Sequence, residues 1–539
     1  MKNIKITLCL VVAVTLKLTV MSQEKPAENP IIWADVPDVA IVRVGGTFYM
    51  SSTTMHMSPG LPIMKSKNLV DWELIGYAYD TLEDTDGLSL RNGKSEYGAG
   101  SWASSIRYHD GTFYVSTFAG STRKTHVYTT RDIENEPWRE TTFSPLLHDH
   151  SLFFDDDGKV YMIHGAGDIH LTELQTDLSG VKIGGFDQVI IPKVWSVGSE
   201  RPCLAEGSQL FKHDGKYYLC NIIWPPNDMR TEIIHRADKI TGPYEGRVIL
   251  KDRGIAQGSL IDTLEGKWYA YLFQDCGAVG RVPFLMPVEW KDGWPVLGTD
   301  GKVPLTLNIP KKMPGLGNLV ASDDFDRSDE MLARLNALPK EENSYLREVF
   351  SPAWQWNHNP DNRFWSLTER PGWLRLTTGR IDKTLPDARN SLTQRTFGPQ
   401  CSATTLLDVG GMKDGDYVGL AAFQKRYGSV GVKMTDGVKS VVMLDTDDKN
   451  LPVTKMSVPL ETNLIFLKVE CDFKERKDEA RFYWSLDGKE WKRIGPLLKM
   501  TYTLPHFMGY RFALFHFATE QVGGHVDFDF YYVAPVITE

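Results

Sequence analysis

Cysteine is sparse in this chain and badly spaced for cross-links. Six occur in 539 residues, with no Cys-x-x-Cys pair. Setting aside Cys9, which lies in a segment expected to be removed, the odd set Cys203, Cys220, Cys276, Cys401 and Cys471 remains. It offers neither a zinc site nor a disulfide framework, so these residues are read as small buried side chains. Helical periodicity is scarce as well. Blocks of lysine and arginine are missing and the formal net charge is −9, which argues against nucleic acid as a partner. No apolar run is both long and uninterrupted. The best, residues 6 to about 20, is broken by Lys17, which argues against a permanent membrane span. Lys2 and Lys5 precede that run and a polar, proline-bearing stretch follows it, so residues 1–22 resemble a secretory signal peptide. A periplasmic or secreted protein is expected.

Glycine (46), tryptophan (15), tyrosine (21) and phenylalanine (24) are plentiful, and short β-rich runs alternate with Gly, Asp and Asn turns. The class is therefore all-β, and the length suggests roughly two to four domains. One unit recurs five times, an acid or glycine, then Gly, then Thr or Lys, then aromatics: VGGTFY, HDGTFY, DGKVY, DGKYY and EGKWY. Each has the form of a β-hairpin closed by a tight glycine corner. The corner glycines, 46, 111, 158, 215 and 266, are 65, 47, 57 and 51 residues apart. A period of about fifty residues made of short strands predicts a β-propeller, here of five blades.

Eight or nine residues before each corner, where the preceding strand begins, stand Asp38, Trp102 with Ala103, Asp149, Glu206 and Gln257. The innermost strands of a propeller run along its channel, so these positions form one ring at a pore mouth. The ring is acidic with an aromatic wall, and facing carboxylates are what glycoside hydrolysis requires. Asp35, three residues before Asp38, is the rival for its place and reads better as a turn or supporting group. Trp102 offers a flat apolar platform to a sugar, with a blade-core tryptophan as the alternative. His56, in the loop MHMSPG, is a candidate substrate contact at the mouth or a packed loop histidine. Arg281 has an electrostatic reason to sit near the acids and can donate to sugar hydroxyls, the alternative being an exposed turn arginine. The acidic triplet Asp155, Asp156 and Asp157 suggests calcium at first sight but suits a hairpin loop better. Residues 224–227, WPPN, form a rigid loop able to shape the rim.

After the propeller, expected over residues 29–300, a Pro/Gly/Lys linker spans 301–321. A second all-β unit fills 322–539, with strand-like runs and an Asp487-Gly488 hairpin that suit a two-sheet sandwich. Trp354, Trp356, Trp365 and Trp373 raise sugar binding there but are read mainly as core or interdomain contacts.

The motifs PDVAIVRVGGTFY, SWASSIRYHDGTFY, HDHSLFFDDDGKVY, AEGSQLFKHDGKYY and GRVPFLMPVEW, in this order, resemble glycoside hydrolase family 43 over nearly the whole chain after the signal segment. The resemblance implies a five-bladed propeller with an inverting mechanism. It implies Asp38 as general base, Glu206 as general acid, Asp149 as the carboxylate that tunes the acid and Arg281 as a ligand of the terminal sugar. The C-terminal unit is similar to the concanavalin-like sandwich of β-xylosidases and α-L-arabinofuranosidases in that family. Two features depart from the pattern. Gln257 stands where many relatives have a histidine linked to calcium at the channel centre, so no metal is expected, with a structural calcium left open. The usual Asp-Pro pairs read Asp38-Val39 and Asp149-His150.

The expected activity is removal of terminal α-L-arabinofuranosyl or β-D-xylosyl residues from oligosaccharides of xylan, arabinoxylan or xyloglucan, in exo mode. A water between base and acid needs carboxyls roughly 6.5–9.5 Å apart, and Asp149 is expected to hold a proton on Glu206 by repulsion. Two rivals stand beside this reading. A retaining fructoside-cleaving enzyme is disfavoured because no Arg-Asp-Pro lies between base and acid. A non-catalytic sugar-binding propeller is disfavoured by the presence of all three acids.

Overall fold

Each of the five repeated corners joins the first and second strands of a four-stranded antiparallel meander. In the computed structural model, which describes residues 25–342, 347–446, 451–503 and 506–538, these meanders are the blades of a propeller. The expected signal segment and Cys9 lie outside the described residues. Blade 1 comprises Ala40–Val44, Thr47–Ser51, Gly60–Ser66 and Trp72–Tyr79, and blade 2 comprises Ser101–His109, Thr112–Ala119, Lys124–Thr130 and Arg139–Phe143. Blade 3 holds Ser151–Phe154, Val160–His164, Ile169–Leu174 and Asp187–Ile191; blade 4 holds Ala205–His213, Lys216–Ile223, Thr231–Ala237 and Glu245–Leu250. Blade 5 holds Ala256–Asp262, Trp268–Asp275, Arg281–Lys291 and Trp294–Leu297. At the corners of blades 2 and 4 both central residues have positive φ, 46° and 77° at Asp110-Gly111 and 47° and 76° at Asp214-Gly215. That is the type I′ geometry that matches strand twist, and only glycine takes the second position without strain.

The blades hold together by apolar layers between neighbours. Tyr49, Ile63, Ile106 and Val115 fill the space between blades 1 and 2; Val127, Leu152 and Met162 that between 2 and 3; Ile163, Leu171, Leu219 and Ile233 that between 3 and 4. The first strands of successive blades adjoin, and that of blade 5 meets that of blade 1, closing the ring. Polar contacts mark the closure. Ile41 N–H donates to Ser259 Oγ at 3.3 Å, and Arg43 pairs with Asp262 at 2.7 Å. The chain before blade 1 is laid along blade 5, with Ile31 N–H on Pro283 O and Val36 N–H on Arg281 O. Lys25–Glu28 pairs with Thr306–Lys311, so the stretch expected as a linker carries a strand that ties the N-terminal segment down.

The second unit is a sandwich of a seven-stranded and an eight-stranded sheet, preceded by one helix, Asp329–Ala337, whose first turn is capped by the Ser328 hydroxyl. Ala403, Leu407, Val430, Phe482, Phe512 and Leu514 lie in its core. Trp354 and Trp356 are buried, and Trp356 exchanges backbone hydrogen bonds with Ser58 of blade 1's loop at 2.7 and 3.1 Å. Cys220, Cys401 and Cys471 are buried and Cys203 and Cys276 partly so, all as free thiols.

Asp35 rivets the two units together. Its carboxylate accepts Arg281 N–H at 2.7 Å and Gly509 N–H, from the sandwich, at 3.1 Å, while its carbonyl accepts Arg395 Nε at 2.9 Å. Side chains are excluded where these backbones meet: a Cβ on Gly280 would lie 2.3 Å from Asp35 Oδ1, and one on Gly509 2.2 Å from Val279 O. Asp35→Ala strands two buried N–H groups at about 1–3 kcal/mol each. Chemical denaturation should register this loss, and activity should fall with it because Arg281 is displaced; an unchanged midpoint would show that the contact holds nothing.

Candidate active site

The ring positions lie where the first strands begin, and the backbone there is bent to aim side chains into the mouth. Asp38, Asp149 and Gln257 have φ of 54°, 45° and 59°, and Gly207, next to Glu206, has 69°. Register breaks after Ser101, Glu206 and Ala256 mark bulges in the first strands of blades 2, 4 and 5. Positive φ at a non-glycine residue stores strain of order 1–3 kcal/mol, and bulges of this kind re-aim side chains at functional sites.

Asp38 is 7% exposed, and both its oxygens accept from Arg281 Nη1 at 3.0 Å. Burial pushes the Asp38 carboxyl above the usual carboxylate range, while the Arg281 charge opposes that rise and the charge of Glu206 adds to it. Across the mouth Asp149, 5% exposed, accepts Gly207 N–H at 3.0 Å. Burial, with repulsion from Glu206, pushes it up to about 8. Gln257 is held by Glu232, whose buried carboxyl accepts Gln257 N–H at 2.7 Å and is itself pushed well up by burial.

Trp102 lies at the start of the first strand of blade 2. It stacks on Phe507 with centroids 5.9 Å apart and planes 10° apart, and the Arg281 guanidinium lies 4.6 Å from the same Phe507 ring. Phe507 belongs to the sandwich, and its carbonyl accepts Arg281 Nη2 at 3.3 Å. The accessory unit thus supplies one side of the mouth.

The structure brings Asp38, Trp102, Asp149, Glu206, Gln257 and Arg281 together but not His56. That histidine is 1% exposed and packs behind the mouth against Tyr97 of blade 2's approach and His358 and His506 of the sandwich, with centroids 4.5–5.4 Å away. The flanking Met55 and Met57, packed with Met508, draw its loop into the domain interface. Asp157 serves its hairpin, accepting Lys159 N–H at 2.9 Å, and Asp155 ties that hairpin to blade 4, accepting Tyr217 OH at 2.7 Å. Trp224 of the WPPN loop carries the Arg230 guanidinium 3.7 Å above its ring, and Arg230 pairs with Asp275.

Three members of the site had escaped the sequence reading: His148, Glu232 and Phe507. A hydrogen bond of 2.9 Å joins His148 Nε2 to Glu206 Oε2, and the same nitrogen lies 3.9 Å from Asp149 Oδ1. Its position just before Asp149 was the available signal, since a residue flanking a bulged ring position shares the mouth. Among the described residues, His148, Asp149 and Glu206 are the group whose ligand-type atoms lie within 4.8 Å of one another. Within it the hydrogen bond joins His148 and Glu206, with Asp149 beside them.

Residues 27–295 match the model for glycosyl hydrolases family 43, and residues 345–534 match the beta xylosidase C-terminal concanavalin A-like domain. A beta-xylosidase of Formosa agariphila is 28% identical over 562 residues, covering 93% of this chain and 89% of that protein. A non-reducing end alpha-L-arabinofuranosidase of Bacteroides ovatus is 28% identical, covering 80% of this chain and 82% of that protein. A solved structure described as a bifunctional GH43-CE of Bacteroides eggerthii superposes with a TM-score of 0.90 at 54% identity and covers 96% of this chain, which spans 64% of that protein's length. The first family match falls on the five blades that carry the acids and the second on the sandwich that supplies Phe507; the chain belongs to glycosyl hydrolase family 43.

Proposed function

We propose that the chain is an exo-acting, inverting hydrolase that removes terminal β-D-xylosyl or α-L-arabinofuranosyl residues from xylan-type oligosaccharides. The observation that carries this reading is the opposition of Asp38, gripped by Arg281, to Glu206 and Asp149 in one buried ring walled by Trp102 and Phe507. Asp38 takes a proton from water as the water attacks the anomeric carbon, and Glu206 gives one to the departing oxygen. Arg281 keeps Asp38 able to ionise despite burial and presents its remaining donors to the sugar. Burial, with repulsion from the Glu206 carboxylate, pushes Asp149 up to about 8, so the proton expected on Glu206 alone is held between the two acids at neutral pH, and the form that carries it on Glu206 is the one that acts. Exo mode is supported by the sandwich, whose Phe507 closes one side of the mouth. The relatives named as a beta-xylosidase and an alpha-L-arabinofuranosidase support the two pentoses.

We read no metal into the mechanism. The small cavity beneath the acids is lined by Asp38, Asp149, His150, Gly207 and Gln257. Both His150 nitrogens are engaged, with Leu147 O and Ser116 Oγ at 2.8 Å, Asp38 is taken by Arg281, and Gln257 adds one neutral carbonyl. That donor set does not fit the six to eight oxygens calcium takes.

The test is pentose release from matched aryl β-D-xylopyranoside and aryl α-L-arabinofuranoside, with the first-formed anomer followed by proton NMR. Inversion is expected, and the preferred glycoside names the activity. Retention, or binding without turnover of either, overturns the proposal.

A further inference from the structure

The residue with the most direct hold on Glu206 is neither an acid nor a sugar ligand. His148 sits on the loop entering blade 3, 31% exposed in its side chain, with its ring edge between Phe118 and Trp102 at centroid distances of 4.9 and 6.3 Å. Nε2 is 2.9 Å from Glu206 Oε2, and Nδ1 has no hydrogen-bond partner among the described residues. One ring nitrogen is therefore committed to the acid. The other is left for solvent.

We propose that His148 is the positioning residue of the general acid: it engages Oε2 so that Oε1 delivers the proton, and it shares that proton with Glu206, which extends activity to higher pH. The proposal rests on Glu206 being the acid. With the neutral ring donating Nε2–H to Oε2, the carboxyl proton resides on Oε1. As the bond from the anomeric carbon to the leaving oxygen breaks, the Oε1–H bond breaks and the proton passes to that oxygen. The carboxylate formed keeps the Nε2–H bond, which strengthens as charge develops. The form with Glu206 protonated and His148 neutral has the same number of protons as the form with a carboxylate and an imidazolium. The loss of that proton therefore belongs to the pair and not to either residue.

The groups facing the ring agree with this role. Burial pulls the His148 ring down, but the bond to Glu206 and the charges of Asp149 and Glu206 raise it above the ordinary histidine range. His150 and His164 are the neighbouring bases. Burial pushes both down to about 4, so neither adds a charge at neutral pH. Phe118 and Trp102 are apolar on the remaining sides.

Two variants separate the two parts of the role. His148→Gln keeps an N–H donor for Oε2 but does not titrate; His148→Phe loses both. The readout is the pH profile of kcat/KM on an unactivated xylo-oligosaccharide and on a nitrophenyl glycoside. For His148→Gln the plateau on the unactivated substrate is expected within about threefold of the parent, with the alkaline limb moved to lower pH by about one unit. For His148→Phe the same shift is expected, with a further loss of about 10–100-fold on the unactivated substrate only, less than the about 10²–10⁴-fold that proton transfer as a whole contributes. An alkaline limb unmoved in both variants overturns the proposal and assigns that limb to Asp149. Equal losses on both substrates also overturn it, since a merely structural histidine would give them. Glu206→Gln, run alongside, tests the acid itself, so failure of His148 and failure of the underlying reading give different patterns.

Discussion

Glu206→Gln lowers turnover of an unactivated xylo-oligosaccharide by about 10²–10⁴ and that of a nitrophenyl glycoside far less. The difference follows from where charge develops. An alkoxide leaving group needs its proton in the transition state, whereas a nitrophenolate departs without one. Glutamine fills the same volume and can still meet His148 through its amide, so the ring geometry persists while the transferable proton is lost. The same variant also removes the charge that repels Asp149, which is pushed up to about 8 largely by burial and then by Glu206. Asp149 therefore ionises at lower pH in the variant, and the residual activity on the activated substrate shows a shifted pH profile. Parallel kinetics on the two substrates check the assignment, and equal losses on both would remove Glu206 from the acid role.

The propeller was legible because its repeat is local. A corner glycine with positive φ cannot be replaced cheaply, so the sequence writes it plainly, as at Gly111 and Gly215. Counting back along one strand from each corner reached Asp38, Asp149, Glu206 and Gln257, because a strand has a fixed period and adjoining first strands share one register. What remained hidden is what comes from elsewhere in the chain. Phe507 reaches Trp102 from a loop of the other unit, and no spacing rule connects two positions so far apart in sequence. Glu232 lies in the third strand of blade 4 yet holds Gln257 of blade 5, a contact set by blade packing. For His56, a candidate contact at the mouth or a packed loop histidine, the methionines beside it carry the ring into the apolar domain interface. Asp35 and Asp38 are near neighbours with the same chemistry, and only three dimensions separate them. One accepts backbone N–H groups and the other faces a guanidinium.

Asp38→Asn is expected to lower kcat by about 10²–10⁴ on both the unactivated and the nitrophenyl substrate, the opposite of the Glu206 pattern. The base acts on water, whose activation is needed whatever leaves, so leaving-group chemistry cannot relieve its loss. Asparagine keeps one oxygen within reach of Arg281 Nη1 but cannot take a proton, and KM is expected to change less than kcat because the sugar contacts proposed for Trp102 and Arg281 are left in place. The variant also leaves the Arg281 guanidinium, 2% exposed, without its counter-charge. Breaking a buried pair on one side costs about 3–5 kcal/mol, tempered here by the retained amide oxygen and by relief of the buried carboxylate. Denaturation of the variant measures that balance separately from kinetics. A loss confined to the poor leaving group would exchange the roles of Asp38 and Glu206. A loss on both, with folding intact, leaves attack of water as the step that the Asp38 carboxylate serves.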